Sequence, residues 1–286
     1  MRRVLMVVCM VGMMTMCVKA GEPLKVMSFN VRYDNPWDKE NGWVNRRERV
    51  ADAIAYYDAD IVGTQEVLDN QLEDLKARLD EYGVTGVGRE DGAKQGEYAA
   101  LWYKLDRFTP VSTGNFWLSA TPDVAGSLGW DGACVRIATW AVLHDKLTGK
   151  EVLALNTHLD HVGEVARREG VKLILERVDS LAGNRPVVVT GDFNSVPDSE
   201  VVTTLTDMGS GKGLTDSRGA ARLVYGPEWT FHDYFRVPEG ERTRIDYVLT
   251  KGGLNVKSYG VMAEGAEHGV YLSDHCPVVV NMEYVQ

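Results

Sequence analysis

Pro186-Val187-Val188-Val189-Thr190-Gly191-Asp192-Phe193-Asn194 is the stretch on which the reading of this chain turns. Its continuous β-branched run predicts a strand buried on both faces. The strand then ends in Asp192-x-Asn194, which puts two oxygen donors on one side of an extended segment. A carboxylate at the end of a core strand is costly unless it is paired or metal-bound.

The same design recurs along the chain. Leu24 to Phe29 reads as a first strand, and Asn30 closes it. Gln65-Glu66 follows Asp60-Ile61-Val62-Gly63. Asn156, His158 and Asp160 close Val152 to Leu155. Asp246 lies in Arg244-Ile245-Asp246-Tyr247, and Ser273-Asp274-His275 precedes a last strand from Pro277 to Met282. Strands are also expected at Tyr98–Tyr103 and Val135–His144, and helices at Arg46–Tyr57, Gln71–Leu79 and Val165–Leu181, where apolar residues recur at helical spacing. Residues 31–45 read as a long loop. Strands are too many, and the βα alternation too irregular, for a single doubly wound sheet; two packed sheets with helices outside fit better. Hard oxygen donors gathered without a Cys or His cluster suit Mg²⁺ or Mn²⁺ better than zinc.

The series Ser28-Phe29-Asn30, Gln65-Glu66, Asn156-Thr157-His158, Gly191-Asp192-Phe193-Asn194, Arg244-Ile245-Asp246-Tyr247 and Ser273-Asp274-His275 resembles, in order, the motifs of the endonuclease/exonuclease/phosphatase (DNase I-like) superfamily. The resemblance spans nearly all of residues 21–286, and six ordered motifs are far more specific than any one of them. It implies an α/β four-layer sandwich, two packed mixed β-sheets flanked by helices, with an active site at one edge. It also implies roles: Glu66, Asn30 and Asp274 at the metal; Asp192 orienting or deprotonating the attacking water, with Asn194 beside it; Asp246 and His275 as a buried pair; His158 on the scissile phosphate. Glu97 matches more loosely, as the group orienting His158, and Arg136 is expected at a phosphate oxygen. Asp160 and His161 read either as loop polar residues or as support for the site. His232 reads as a substrate contact or a surface residue.

The chemistry is coherent without the family. A cation at Glu66 would neutralise charge developing on a phosphoryl group. Water held by Asp192 would attack in line, and His275, fixed in one tautomer by Asp246, would exchange protons.

Residues 1–20 read as a secretory signal peptide. Arg2 and Arg3 precede an apolar run from Val4 to Met16, and Val18-Lys19-Ala20 suits cleavage after Ala20. The run is too short for a spanning helix. The expectation is a secreted or periplasmic monomer with no transmembrane segment after cleavage, one domain over 21–286. Cleavage removes three cations and no acid, so the formal charge moves from -10 to -13. Such a surface repels nucleic acid. Arg46, Arg47, Arg49 and Arg167-Arg168 are the only basic clusters, and they read as solvated helix faces. A phosphate-ester hydrolase therefore leads the alternatives: a DNase I-like nuclease, a sphingomyelinase-like phospholipase C, or a non-catalytic binding protein of the same fold. Cys134 and Cys276 read as two structural thiols rather than a disulfide. Trp37, Trp43, Trp130 and Trp229 fall in loop-like stretches, either as a substrate rim or as loop packing.

Overall fold

The computed structural model describes residues 23–285. The expected signal peptide lies outside them. In chain order the strands are β1 Pro23–Asn30, β2 Ile61–Val67, β3 Tyr82–Thr85, β4 Tyr98–Lys104, β5 Phe108–Trp117, β6 Ile137–Asp145, β7 Glu151–His158, β8 Val187–Asp192, β9 Thr215–Asp216, β10 Leu223–Tyr225, β11 Asp246–Lys251, β12 Leu254–Val261 and β13 Val278–Tyr284. The helices are α1 Trp43–Tyr57, α2 Asp69–Lys76, α3 Glu164–Ala182, α4 Glu200–Thr206 and α5 Ser217–Ala220. Two mixed sheets form. One runs β10-β12-β13-β1-β2-β4-β3 and the other β5-β6-β7-β8-β11-β9.

Side-chain alternation builds the layers. On β1, Leu24 and Val26 face the gap between the sheets, while Met27 and Phe29 pack under Val50 and Ile54 of α1 and Leu72 and Leu75 of α2. On β8, Val188 faces the gap, and Val187 and Val189 pack under Val171, Ile174 and Val178 of α3. The order helices, sheet, sheet, helices is the expected four-layer sandwich.

The gap changes character along its length. Continuing each alternation, β1 reaches Asn30, β7 passes Val152 and Ala154 to Asn156 and His158, and β8 passes Val188 and Thr190 to Asp192. Strands β7 and β8 are parallel with His158 beside Asp192, and β11 runs antiparallel with Asp246 opposite Asp192. The apolar gap thus turns polar at one end, and each strand brings its polar residue to that end.

Midway, Asn156 clasps the sheets. Its amide donates to the carbonyls of Thr64 and Ala100 at 2.8 and 2.9 Å. Its oxygen accepts from Gln65 Nε2 at 2.7 Å and Thr190 Oγ1 at 3.0 Å. Gly63 must be glycine there, since a Cβ would sit 2.0 Å from Thr190 Oγ1.

Some expectations need correction. The second helix runs Asp69–Lys76, starting and ending earlier than Gln71–Leu79, because Gln71 Oε1 accepts from the Leu68 N–H and so fixes the start. The 31–45 loop contains a 3₁₀ turn at Pro36–Asn41, and α1 already begins at Trp43. Trp43 is buried and bonds Asp74 through Nε1, so it is no loop rim residue. Arg46 does not lie on a solvated face. It is fully buried, and its guanidinium donates to the carbonyls of Asn41, Val31, Leu272 and Arg32, which locks three loops together. Cys134 and Cys276 are free thiols. No helix among the described residues is long and apolar enough to cross a membrane.

Candidate active site

Asn30 sits at the centre of the polar end. Its Nδ2 donates to Glu66 Oε1 at 2.9 Å and to Asp192 Oδ2 at 3.0 Å, and lies 3.4 Å from His275 Nε2. Residues 162 and 245 positions away are thereby joined to one amide. Ser273 fixes the opposite segment by donating to the Asn30 carbonyl at 2.7 Å.

Glu66 reaches the site through a local distortion. The β2–β4 register breaks between Thr64 and Val67, and Glu66 takes φ 62°. A non-glycine residue held there costs on the order of 1 kcal/mol or more. Its Oε2 accepts from the Tyr33 N–H at 3.1 Å. Burial opposes ionisation of Glu66, but Arg32 and the Asn30 bond outweigh it and hold its pKa below the usual carboxylate range.

Asp192 is nearly fully buried. Its Oδ1 accepts from the Asn194 N–H at 2.9 Å, and its Oδ2 stands 3.5 Å from His158 Nε2 and 3.7 Å from His275 Nε2. Burial and the charge of Asp246 push it up to about 7, against the pull of His275. His275 Nδ1 lies 2.9 Å from Asp246 Oδ2. Burial alone would favour the neutral ring, yet Asp246 and Asp192 together drive its basicity well upward. His158 moves the other way, pushed well down by burial and by Arg136 and Arg89. Asn194 Nδ2 lies 3.1 Å from His158 Nε2 and donates to the Leu159 carbonyl at 3.0 Å.

The remaining expected residues fall less uniformly. Asp274 is buried, with Oδ2 3.7 Å from Arg32 Nη1, which also stands 3.8 Å from Glu66 Oε2. Glu97 lies 3.8 Å from His158 Nδ1 and bonds Arg89 at 2.6 Å. Arg136 lines the cavity, and its Nε and Nη1 have no hydrogen-bond partner among the described residues, while Nη2 lies 3.1 Å from His161 Nδ1. Asp160 does not line the cavity. It braces the wall, with Oδ1 accepting from the Val162 and Gly163 N–H groups and Oδ2 from Cys134 N–H. His232 is buried beneath Phe235, and its Nδ1 accepts from the Phe235 N–H. Of the tryptophans, Trp37 and Trp130 are exposed, and Trp229 packs on His232.

Glu66, Glu97, Arg136, His158, Asp192, Asn194, Asp274 and His275 line a cavity of about 470 Å³. Arg32, Arg89, Phe231 and Asp233 also line it, and sequence reasoning missed them. Arg32 carried a usable signal, two residues beyond Asn30; Arg89 and Asp233 stand in loops without periodicity. A larger hollow of about 600 Å³ at Lys150, Glu151 and Arg185 lies at the other end of β7, away from the His and Asp groups.

The donor chemistry fits a divalent cation. Glu66, His158 and Asp192 each offer a ligand atom, all within 4.8 Å of one another. Two carboxylates this close, Asp192 buried and Glu66 partly so, repel unless a positive charge intervenes. Hard oxygen donors dominate the set, which favours an oxygen-seeking ion.

Residues 27–275 match the Endonuclease/Exonuclease/phosphatase family. An endonuclease/exonuclease/phosphatase structure from Bacteroides vulgatus is 44% identical, covers 92% of this chain and 99% of its own, and superposes with a TM-score of 0.88. A mannosyl-6-phosphatase from Bacteroides thetaiotaomicron is 36% identical over 91% of this chain and 100% of its own, with a TM-score of 0.84. The Ccr4 3'-5'-exoribonuclease subunit of the CCR4-Not complex from Yarrowia lipolytica is 26% identical over 242 residues, 68% of this chain and 34% of that protein. The chain spans about a third of the length of the curated relatives it matches. With the ordered motifs, the two packed sheets and the family match over most of its length, this chain belongs to the endonuclease/exonuclease/phosphatase family.

Proposed function

We propose that the chain is an exported, divalent-metal-dependent hydrolase of small phosphate monoesters. The observation that carries this reading is the convergence of Asn30, Glu66, His158, Asp192, Asp246 and His275 at one cavity whose wall also holds Arg32, Arg89 and Arg136. Three guanidinium groups suit a compact dianion. The acidic chain, formally -10, opposes an extended polyanion. The 36% identity to a mannosyl-6-phosphatase supports a sugar ester as the substrate. The apolar run after Arg2 and Arg3 supports export.

Glu66, oriented by the Asn30 amide, would hold Mg²⁺ or Mn²⁺, which when bound neutralises charge on the phosphoryl oxygens. Arg136 lines the cavity with Nη1 free of any hydrogen bond, while Asp160 Oδ2 stands 3.6 Å from its Nε, so Nη1 would meet the phosphate. His158 is kept neutral by burial and by Arg136 and Arg89, and Asn194 holds it against the phosphate. Asp192 orients the attacking water. With its proton affinity raised to about 7, Oδ2 accepts the water proton near neutral pH. The water oxygen bonds to phosphorus as the ester P–O bond breaks. His275, held by Asp246, presents Nε2–H to the developing phosphoryl charge. The departing oxygen takes a proton from solvent water, Asp192 returns its own to solvent, and inorganic phosphate and the alcohol leave.

The test is phosphate release by the full mature chain from sugar phosphates and inositol phosphates, and product formation from an aryl phosphodiester, sphingomyelin, DNA and RNA, with Mg²⁺ or Mn²⁺. Release from monoesters, abolished by EDTA, is the expected result. Cleavage of diesters alone would transfer the reading to a nuclease or phospholipase C, and no cleavage of any ester would overturn it.

A further inference from the structure

We propose that Asp233 selects the alcohol part of the substrate by accepting hydrogen bonds from sugar hydroxyls, and that His232 is its positioning residue; this rests on the phosphomonoesterase reading. The cavity wall has two chemistries. Arg32, Arg89 and Arg136 suit the phosphate, whereas Phe231, Asp233 and Ile245 have no use for an anion. A carboxylate repels phosphate, so the partner of Asp233 is a neutral donor. Vicinal hydroxyls fit a carboxylate, and the C–H face of a sugar ring packs on an aromatic side chain.

Asp233 stands close to the reacting groups. Its N–H donates to the Asp274 carbonyl at 3.2 Å, as the His232 N–H does at 3.0 Å. The Phe231 ring lies 4.9 Å from that of His275. One carboxylate oxygen, Oδ1, is 3.5 Å from Arg236 Nη1, a half-exposed cation that leaves hydroxyl donors room to compete.

The backbone is built to hold it there. Asp233, Tyr234 and Phe235 have φ of 45°, 52° and 61°, three successive left-handed residues without a glycine. Such runs persist only where the surroundings over-determine them. Here Phe235 N–H donates to His232 Nδ1 at 3.1 Å, Tyr234 OH donates to Asp38 Oδ2 at 3.1 Å, and the Phe235 ring packs on both His232, at 4.2 Å, and Tyr271, at 5.1 Å, which also lie 6.4 Å from each other. A protonated Nδ1 could not accept from the Phe235 N–H, so this bond holds His232 as a neutral acceptor. None of these contacts is needed by the phosphate chemistry.

The experiment compares mannose 6-phosphate with cyclohexylmethyl phosphate, a primary alkyl ester on a ring without hydroxyls. The two leaving groups are alike, so a role in leaving-group protonation would affect both. In Mg²⁺, Asp233→Ala lowers the ratio of their kcat/KM values by roughly 10- to 100-fold, mostly through KM. Asp233→Asn, which keeps one acceptor oxygen, lowers it less and carries the test if the alanine variant fails to fold. His232→Asn keeps an acceptor beside the Phe235 N–H and preserves the ratio, whereas His232→Ala loses it. An unchanged ratio, or an equal loss on both esters, overturns the proposal. Wild-type enzyme that releases phosphate from neither ester overturns the sugar-phosphomonoesterase reading beneath it, before any variant is made.

Discussion

Replacing Asn156 by Leu tests how the two sheets are held in register behind the site. The side chain is fully buried and makes four hydrogen bonds, two to carbonyls of the seven-stranded sheet, one to Gln65 and one to Thr190. Leucine has similar volume and makes none. At a net value of about 1 kcal/mol per bond, the loss is about 4 kcal/mol. Gln65 Nε2 retains contacts to Ser28 and Gly63, and Thr190 retains the Leu155 carbonyl, which sets a floor of about 2 kcal/mol. Against a total stability on the order of 5–15 kcal/mol, the effect is large. Urea unfolding followed by circular dichroism should show a midpoint lower by about 1 M or more at an unchanged slope. Asn156→Asp offers a second reading. Its new oxygen would face the Thr64 and Ala100 carbonyls, so the carboxyl must carry a proton in the fold. Its folded pKa is then raised, and the variant gains stability relative to wild type as pH falls through that value. A midpoint for Asn156→Leu within experimental error of wild type would refute the clasp.

Other outcomes follow from the same geometry. Asp246→Asn removes the charge that holds His275, and kcat/KM should fall by about 10²–10⁴ in steady-state assays. Its stability should fall as well, because breaking the buried pair takes from His275 the charge that raises its basicity; a rate near wild type would remove the dyad from the mechanism. Burial opposes the charge of Asp160, but backbone N–H bonds outweigh it and depress its folded pKa. Its contribution is therefore present above the unfolded value of about 3.9 and lost as pH falls through the folded one. Asp160→Asn should cost about 2 kcal/mol near pH 7, and less in acid; a gap that stays constant with pH, by urea midpoint, would contradict this.

The parts of the molecule legible in the sequence are those where polar residues interrupt a strand pattern. Asn30, Asp192 and Asp246 each stand on the gap-facing side of an otherwise apolar strand, so pattern and chemistry pointed the same way. Strand β5 was hidden because its middle is exposed and carries Pro110 beside a register shift, as edge strands tolerate. Arg46 reads as one of a solvated trio because its partners are main-chain carbonyls, which no side-chain pattern announces. Arg89 and Asp233 enter the cavity from irregular loops, where only the folded chain sets direction. His232 was visible as an unusual histidine, but its burial under Phe235 depends on a left-handed turn that its sequence, free of glycine, does not suggest.

Calorimetric titration of Mn²⁺ into the metal-free protein tests the central claim most directly, that groups from Asn30 to His275 assemble one cation-holding pocket. Wild type should bind, and Glu66→Gln should bind more than about 10-fold more weakly with its circular dichroism spectrum unchanged. Equal affinity in the two proteins would contradict the account.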